Sequence, residues 1–286
     1  MPLELLFLGT GTSAGVPMIG CECEVCTSAD PRDQRTRASV LVSYDNHGAQ
    51  ARPFEAASPD DARASNQPAT RRVLIDTSPE LRVQITRHRI NRLDAVLFTH
   101  AHADHIFGLD DLRRFNVVMK APIDIYAEED VLNRFREMFR YIFEPHLNAN
   151  QSFIPQLIAH RLDSSTAMEL HGATWTPIRL MHGRLPVLGF RVDHEGRSIA
   201  YCTDVSTVPP ESYPLLRELD VLVLDALRYR HHPTHMTVDQ ALEVIAELKP
   251  KQAYLTHIAH EISHADLSTR LPDGVAISYD GLRVTL

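Results

Sequence analysis

The sequence is poor in sulphur and has no long apolar run. Four cysteines in 286 residues do not suggest a disulfide framework in a reducing compartment. No stretch stays apolar and uncharged for the length of a bilayer crossing. The opening MPLELLFLGTG lacks a basic segment, and its apolar run is too short for a signal peptide. A cytoplasmic protein without membrane contact is therefore expected. Excess positive charge is also missing. The formal net charge of −8 argues against a sequence-independent grip on nucleic acid, although a local basic pocket for one phosphorylated molecule is compatible with it. No short-period repeat and no linker divides the chain. With 44% hydrophobic and 23% charged residues, the composition suits one large globular domain with a sizeable core.

What the chain does hold is histidine, 16 of them, unevenly placed. The coarse element pattern shows where. Apolar runs predict strands at 3–8, 38–44, 72–76, 94–98, 123–126, 175–181, 187–192, 198–202, 220–225 and 253–256. Helical periodicity is expected at 79–88, 106–115, 128–143 and 237–248, the last stopped by Lys249-Pro250. Residues 275–286 predict two short strands around an Asp-Gly turn. Residues 46–71 change character. They are rich in Ala, Pro, Ser, Asn and Asp and are expected to form an exposed, mobile insertion in a single domain spanning 1–286. Both halves mix strands and helices, so the fold class is α/β.

The block His100-Ala-His102-Ala-Asp104-His105 follows a buried-type strand. Alternate residues of an extended segment share a side, so His100 and His102 can grip one ion together. The turn into a helix can send Asp104 and His105 towards a second. Four more polar residues stand just past apolar strands: Asp76 after RVLI, His182 after PIRLM, Asp204 after SIAYCT and His257 after AYLT. Each alone is ordinary turn chemistry. Together they gather acids and imidazoles at successive strand ends, where α/β folds build their sites.

This ordered set resembles the metallo-β-lactamase-fold hydrolases. The resemblance implies a four-layer αβ/βα sandwich with two catalytic divalent metals, zinc or manganese, between its sheets. By it, one ion would take His100, His102 and His182, and the other Asp104, His105 and His257. Asp204 would bridge them, and Asp76 would orient ligands by hydrogen bonds, as imidazoles in such sites require. Two adjacent cations can activate a water and neutralise charge on a phosphoryl group, which favours phosphodiester hydrolysis but permits thioester, lactone or amide hydrolysis.

A leaving alkoxide needs a proton. The stretch Arg228-Tyr-Arg-His-His-Pro-Thr-His235 offers three histidines for it and two arginines for phosphate recognition. Residue types alone do not separate His231, His232 and His235. The thiols Cys21, Cys23 and Cys26 in GCECEVC need a fourth ligand to close a structural zinc site. His260, three residues after His257, suits better than Cys202, which reads as a core filler. Free thiols or a redox switch are the alternatives.

The N-terminal LGTGTSAGVPMIGCECEVC and the later THIAHE resemble, more narrowly, the cyclic phosphodiesterases of the carbon–phosphorus lyase pathway. Those enzymes open a phosphoribosyl 1,2-cyclic phosphate and carry a structural zinc besides the catalytic pair. The resemblance selects His235 as proton donor, with Asp104 serving the chemistry beside it. It assigns Cys21, Cys23, Cys26 and His260 to the zinc. The expected substrate is a small cyclic phosphate or cyclic nucleotide, with a thioester hydrolase or an RNA-processing nuclease as alternatives. No nucleic acid beyond nucleotides is expected as partner, and a homodimer is an admissible assembly. The insertion and a longer 128–165 region depart from that pattern and could reshape the pocket.

Overall fold

The computed structural model describes residues 2–46, 69–148 and 152–286. Two seven-stranded mixed sheets organise it. The first contains β1 (Glu4–Gly9), β2 (Ser39–Asn46), β3 (Ala69–Ile75), β4 (Ala95–Leu97), β5 (Ile123–Ala127) and β6 (Leu157–Arg161), with β14 (Arg283–Thr285) added beside β1. The second runs through β7 (Met168–Leu170), β8 (Ala173–His182), β9 (Leu185–His194), β10 (Arg197–Cys202), β11 (Val221–Asp225), β12 (Gln252–Thr256) and β13 (Val275–Ile277). Each sheet starts antiparallel and becomes parallel, at β3 in the first and at β10 in the second. The two halves thus repeat one plan.

The burial pattern explains the strands. In β11, VLVLD is buried throughout because parallel neighbours flank it and both faces are covered. In β8, burial alternates along much of ATWTPIRLMH, as a sheet with one inner face dictates. Three apolar clusters separate four layers. The middle one joins Leu5, Phe7, Val42 and Val73 of the first sheet to Trp175, Phe190, Tyr201 and Val223 of the second. There the Trp175 indole donates to Tyr44 Oη at 3.2 Å, and Tyr44 donates to the Leu170 carbonyl at 2.7 Å. One outer cluster packs α1 (Leu81–Arg87) and α4 (Glu129–Met138) on the first sheet through Leu81, Ile85, Leu132 and Phe135. The other packs α6 (Val238–Leu248) on the second through Val238, Ala241, Ile245 and Leu248. The result is the αβ/βα sandwich expected from the resemblance. Among the described residues, no helix is long and apolar enough to cross a membrane.

Several expectations change. The insertion read at 46–71 is narrower at its ends, because Asn46 and Ala69–Arg71 are ladder residues of β2 and β3. Its polar composition misled there: Arg71 is 2% exposed, and its guanidinium meets Asp94 at 3.0 Å. Residues 47–68 lie outside the described ones. The tail forms the two short strands expected, but they do not pair with each other. Strand β13 joins the second sheet and β14 the first. Asp280 between them is anchored elsewhere, accepting from Thr10 N at 2.9 Å and Thr36 N at 2.8 Å. The helix expected at 128–143 breaks at Phe139 into α4 and α5 (Arg140–Phe143). That expected at 106–115 resolves into α2 (Ala103–Ile106), a 3-10 turn at Leu109–Leu112 and α3 (Arg113–Met119). Strands β6 and β7 escape sequence reading because their residues alternate poorly.

Candidate metal centre and active site

Strand ends deliver the side chains. Asp76 follows β3, His100 lies three residues past β4, His182 ends β8, Asp204 comes two residues after β10, Asp225 ends β11 and His257 follows β12. Asp76, Asp204 and His257 turn the chain with φ of 63°, 56° and 60°. This left-handed region is uncommon outside glycine, and Asp and His are among the residues that tolerate it best. Three strand-terminal residues held there cluster at one place, a pattern typical of functional sites.

Two donor sets form. His100, His102, His182 and Asp204 bring one donor atom each to within 4.8 Å of one another, and so do Asp104, His105, Asp204 and His257. Asp204 belongs to both. His105 Nε2 lies 3.2 Å from Asp204 Oδ1 and 3.3 Å from Asp104 Oδ2. His257 Nε2 is 3.4 Å from the same Asp204 oxygen. The structure therefore brings together all seven residues singled out as candidate ligands.

A ring of outer partners fixes which nitrogens face inward. Asp76, fully buried, accepts from Thr99 N at 2.9 Å and Thr99 Oγ1 at 2.8 Å, and it holds His105 Nδ1 at 2.7 Å. Thr99 Oγ1 lies 2.9 Å from His100 Nδ1, so one carboxylate orients two imidazoles. His182 Nδ1 donates to the Thr234 carbonyl at 2.7 Å. Each of these rings thereby turns Nε2 towards the donor sets.

The centre fits divalent cations. Nε2 of His100, His105 and His257 is buried with no hydrogen-bond partner. Such orphans are costly unless something positive or hydrogen-bonding meets them. Charge points the same way. Burial would raise the Asp204 pKa, but His257 and His105 hold it well below the carboxylate range. Burial would lower that of His105, yet Asp204, Asp104 and Asp76 lift it well above the ordinary value. The carboxylates ask for cationic charge that imidazole and carboxylate ligands would share with a metal.

His235 sits beside both sets. Its ring stacks on His257 with centroids 4.6 Å apart and meets that of His182 at 4.5 Å. His232 stands behind it at 5.1 Å, and His231 is exposed. Geometry thus separates the three histidines that residue types could not. Asp225 was missed. Its Oδ2 takes His235 Nδ1 at 2.6 Å and the Val205 N–H at 2.8 Å. The signal was an acid closing the apolar run DVLVLD, the same grammar as Asp76 after RVLI. The phosphate role expected of Arg228 and Arg230 is not supported. Arg228 donates to the loop's own carbonyls of Arg230 and His231, and Arg230 pairs with Glu261 at 2.8 Å.

The thiols converge apart from this centre. Cys21, Cys23, Cys26 and His260 bring donors within 4.8 Å of one another. His260 Nδ1 is 3.3 Å from both Cys21 Sγ and Cys23 Sγ. The Cys26 N–H and His260 pull the Cys23 thiol down to about 6, favouring the thiolate that binds metal. Burial pushes Cys26 up to about 11, a cost that a cation would offset. Cys202 lies elsewhere, fully buried in the apolar cluster beneath α6.

Comparison with known proteins places this geometry. A crystal structure described as a new diphosphatase from the PhnP family superposes with a TM-score of 0.84 at 38% identity, covering 100% of this chain and 98% of that one. Zinc-bound PqqB from Methylobacterium extorquens shares the fold at a TM-score of 0.72 and 18% identity, covering 99% of this chain and all of that one. A Porphyromonas gingivalis protein named octanoyltransferase is 34% identical over 99% of this chain, which spans only 52% of that relative. The beta-lactamase superfamily domain matches residues 71–258, from Arg71 in β3 to Ile258 just past the last imidazole of the centre. The chain belongs to the beta-lactamase superfamily and has the metallo-β-lactamase fold.

Proposed function

We propose that the protein hydrolyses a phosphoric ester or anhydride bond in a small molecule. The convergence of two donor sets on Asp204, with His235 against both, carries this reading. His100, His102, His182 and Asp204 would hold one divalent cation, and Asp104, His105, Asp204 and His257 the other, zinc or manganese in both cases. Such a pair supplies Lewis acidity and a water made nucleophilic at neutral pH. The chain's own residues do the rest. Asp76 and Thr99 keep His100 and His105 in one orientation. Asp225 fixes His235 with Nδ1 bonded, leaving Nε2 to hand a proton to the departing oxygen. Cys21, Cys23, Cys26 and His260 would hold a structural zinc that braces the loop carrying His257.

The small cyclic phosphate expected from the sequence and the diphosphate in the name of the structural neighbour are the two substrate forms. A second reading is acyl thioester hydrolysis. It is favoured by the alignment of nearly the whole chain to half of a protein named octanoyltransferase. Protein loaded with zinc or manganese is assayed side by side on bis-p-nitrophenyl phosphate, a 2′,3′-cyclic nucleotide, a nucleotide diphosphate and octanoyl thioester. Turnover of phosphate substrates, lost on metal removal, is expected. Turnover of the thioester alone refutes the reading.

A further inference from the structure

Two cavities reach the centre and share no lining residue. The larger, about 990 Å³, opens on His100 and His102. The smaller, about 470 Å³, opens on His235 and Thr234. The β8–β9 hairpin divides them, giving Leu185 and Pro186 at the start of β9 to the first and Gly183 and Arg184 of the turn to the second. A compact cyclic phosphate has no use for two compartments. Volumes in this range accept a nucleoside-sized group and a smaller one respectively.

Their chemistry differs. In the larger cavity four carboxylates outnumber three guanidiniums, two of which are already paired. Arg179 forks onto Glu128, and Arg134 meets Glu137 at 2.9 Å. Glu129 meets Arg136 at 3.2 Å, and Arg161 is the one further cation among the described residues of the lining, so nothing there favours a highly anionic group. Leu185, 41% exposed, and Pro186 provide an apolar wall, and Asn133 an amide for polar edges. The smaller cavity has no carboxylate among the described residues lining it. It presents Arg184, His231, His232 and His235.

We infer that the substrate is a nucleoside 5′-diphosphate ester, with its nucleoside in the larger cavity and its second phosphate in the smaller. This deepens the phosphate reading above and rests on it. It also fixes which bond breaks. The oxygen of water bonds to the phosphorus that bears the nucleoside. The bond from that phosphorus to the bridging oxygen breaks. The bridging oxygen leaves on the second phosphate and takes its proton from His235 Nε2. The products are a nucleoside monophosphate and a phosphomonoester.

The test uses metal-loaded full-length protein, adenosine 5′-diphosphoribose and oxygen-18 water, with mass spectrometry of both products. The label is expected in AMP. Label in ribose 5-phosphate overturns the orientation. Leu185→Trp, which narrows the larger cavity at its apolar wall, is expected to raise KM for adenosine 5′-diphosphoribose relative to p-nitrophenyl methyl phosphate by about tenfold or more. Arg184→Glu is expected to do the same by opposing the leaving phosphate. Unchanged KM ratios in both variants overturn the subsite assignment while leaving the phosphate reading intact. No turnover of any phosphate substrate by wild-type protein overturns both.

Discussion

Asp76→Asn should cost metal affinity while leaving the fold standing. Asp76 is surrounded by donors on both oxygens: Thr99 N at 2.9 Å, Thr99 Oγ1 at 2.8 Å and His105 Nδ1 at 2.7 Å. An amide presents one NH2 in either flip, so one of these donors must face another donor. If the amide nitrogen takes the Oδ2 position, His105 loses the acceptor that turns its Nε2 inward. A hydrogen bond to a charged group contributes about 1.5–3 kcal/mol. At about 1.4 kcal/mol per factor of ten, that predicts a ~10–150-fold weaker affinity. The same range is reached independently from losses of about 10–100-fold when outer partners of metal ligands are removed. Asparagine tolerates the φ of 63° at this position, so the backbone keeps its turn. Competition with a graded chelator, read by metal analysis, measures the affinity, and a circular-dichroism melt checks the fold. Wild-type affinity in a folded Asp76→Asn protein would refute the orienting role.

Asp225→Asn should slow substrates with poor leaving groups by about 10²–10⁴-fold and p-nitrophenyl esters far less, because His235 loses the carboxylate at its Nδ1; parallel rate profiles would remove His235 from proton donation. Cys23→Ser should release one metal equivalent and lower the melting temperature while the catalytic donor sets keep theirs; metal counting on the purified variant decides it. Acid should loosen the β3–β4 junction. Burial works against the Asp94 carboxylate, but Arg92, the Arg72 N–H and Arg71 hold its pKa below the ordinary value. A depressed folded-state pKa stabilises the protein above the unfolded value near 4 and is lost as pH falls through the folded one. Urea midpoints measured from neutral pH downward should therefore fall less steeply in Asp94→Asn than in the wild type, and identical slopes would contradict this assignment.

The candidate ligand residues were legible in the sequence because the fold brings them together by a simple rule. An apolar run ends, and the next few residues face the gap between the sheets. Asp76, His182, Asp204 and His257 all obey it. So does Asp225, which closes β11. What did not show was anything decided through space. Thr99 and the Thr234 carbonyl orient imidazoles, yet neither residue type signals that role. Arg228 and Arg230 looked free for phosphate because Glu261, which Arg230 meets at 2.8 Å, lies 31 residues away in the chain. The separate fates of β13 and β14 were hidden for the same reason. The two short strands around the Asp-Gly turn carry no sign of their separate sheets, which shows only in Asp280 anchoring the turn to Thr10 and Thr36.

The donor sets draw on both repeated halves of the molecule. His100, His102, Asp104 and His105 come from the first, and His182, Asp204 and His257 from the second. Neither half contains a complete coordination sphere. Cations here would act as a clasp, since they bind only when the two sheets are closed on each other. Occupancy and closure then become one equilibrium. At a free metal concentration a thousand times the dissociation constant, the closed form gains about 4 kcal/mol over the open one. The melting temperature of such a protein reports the metal supply around it as much as the quality of its core.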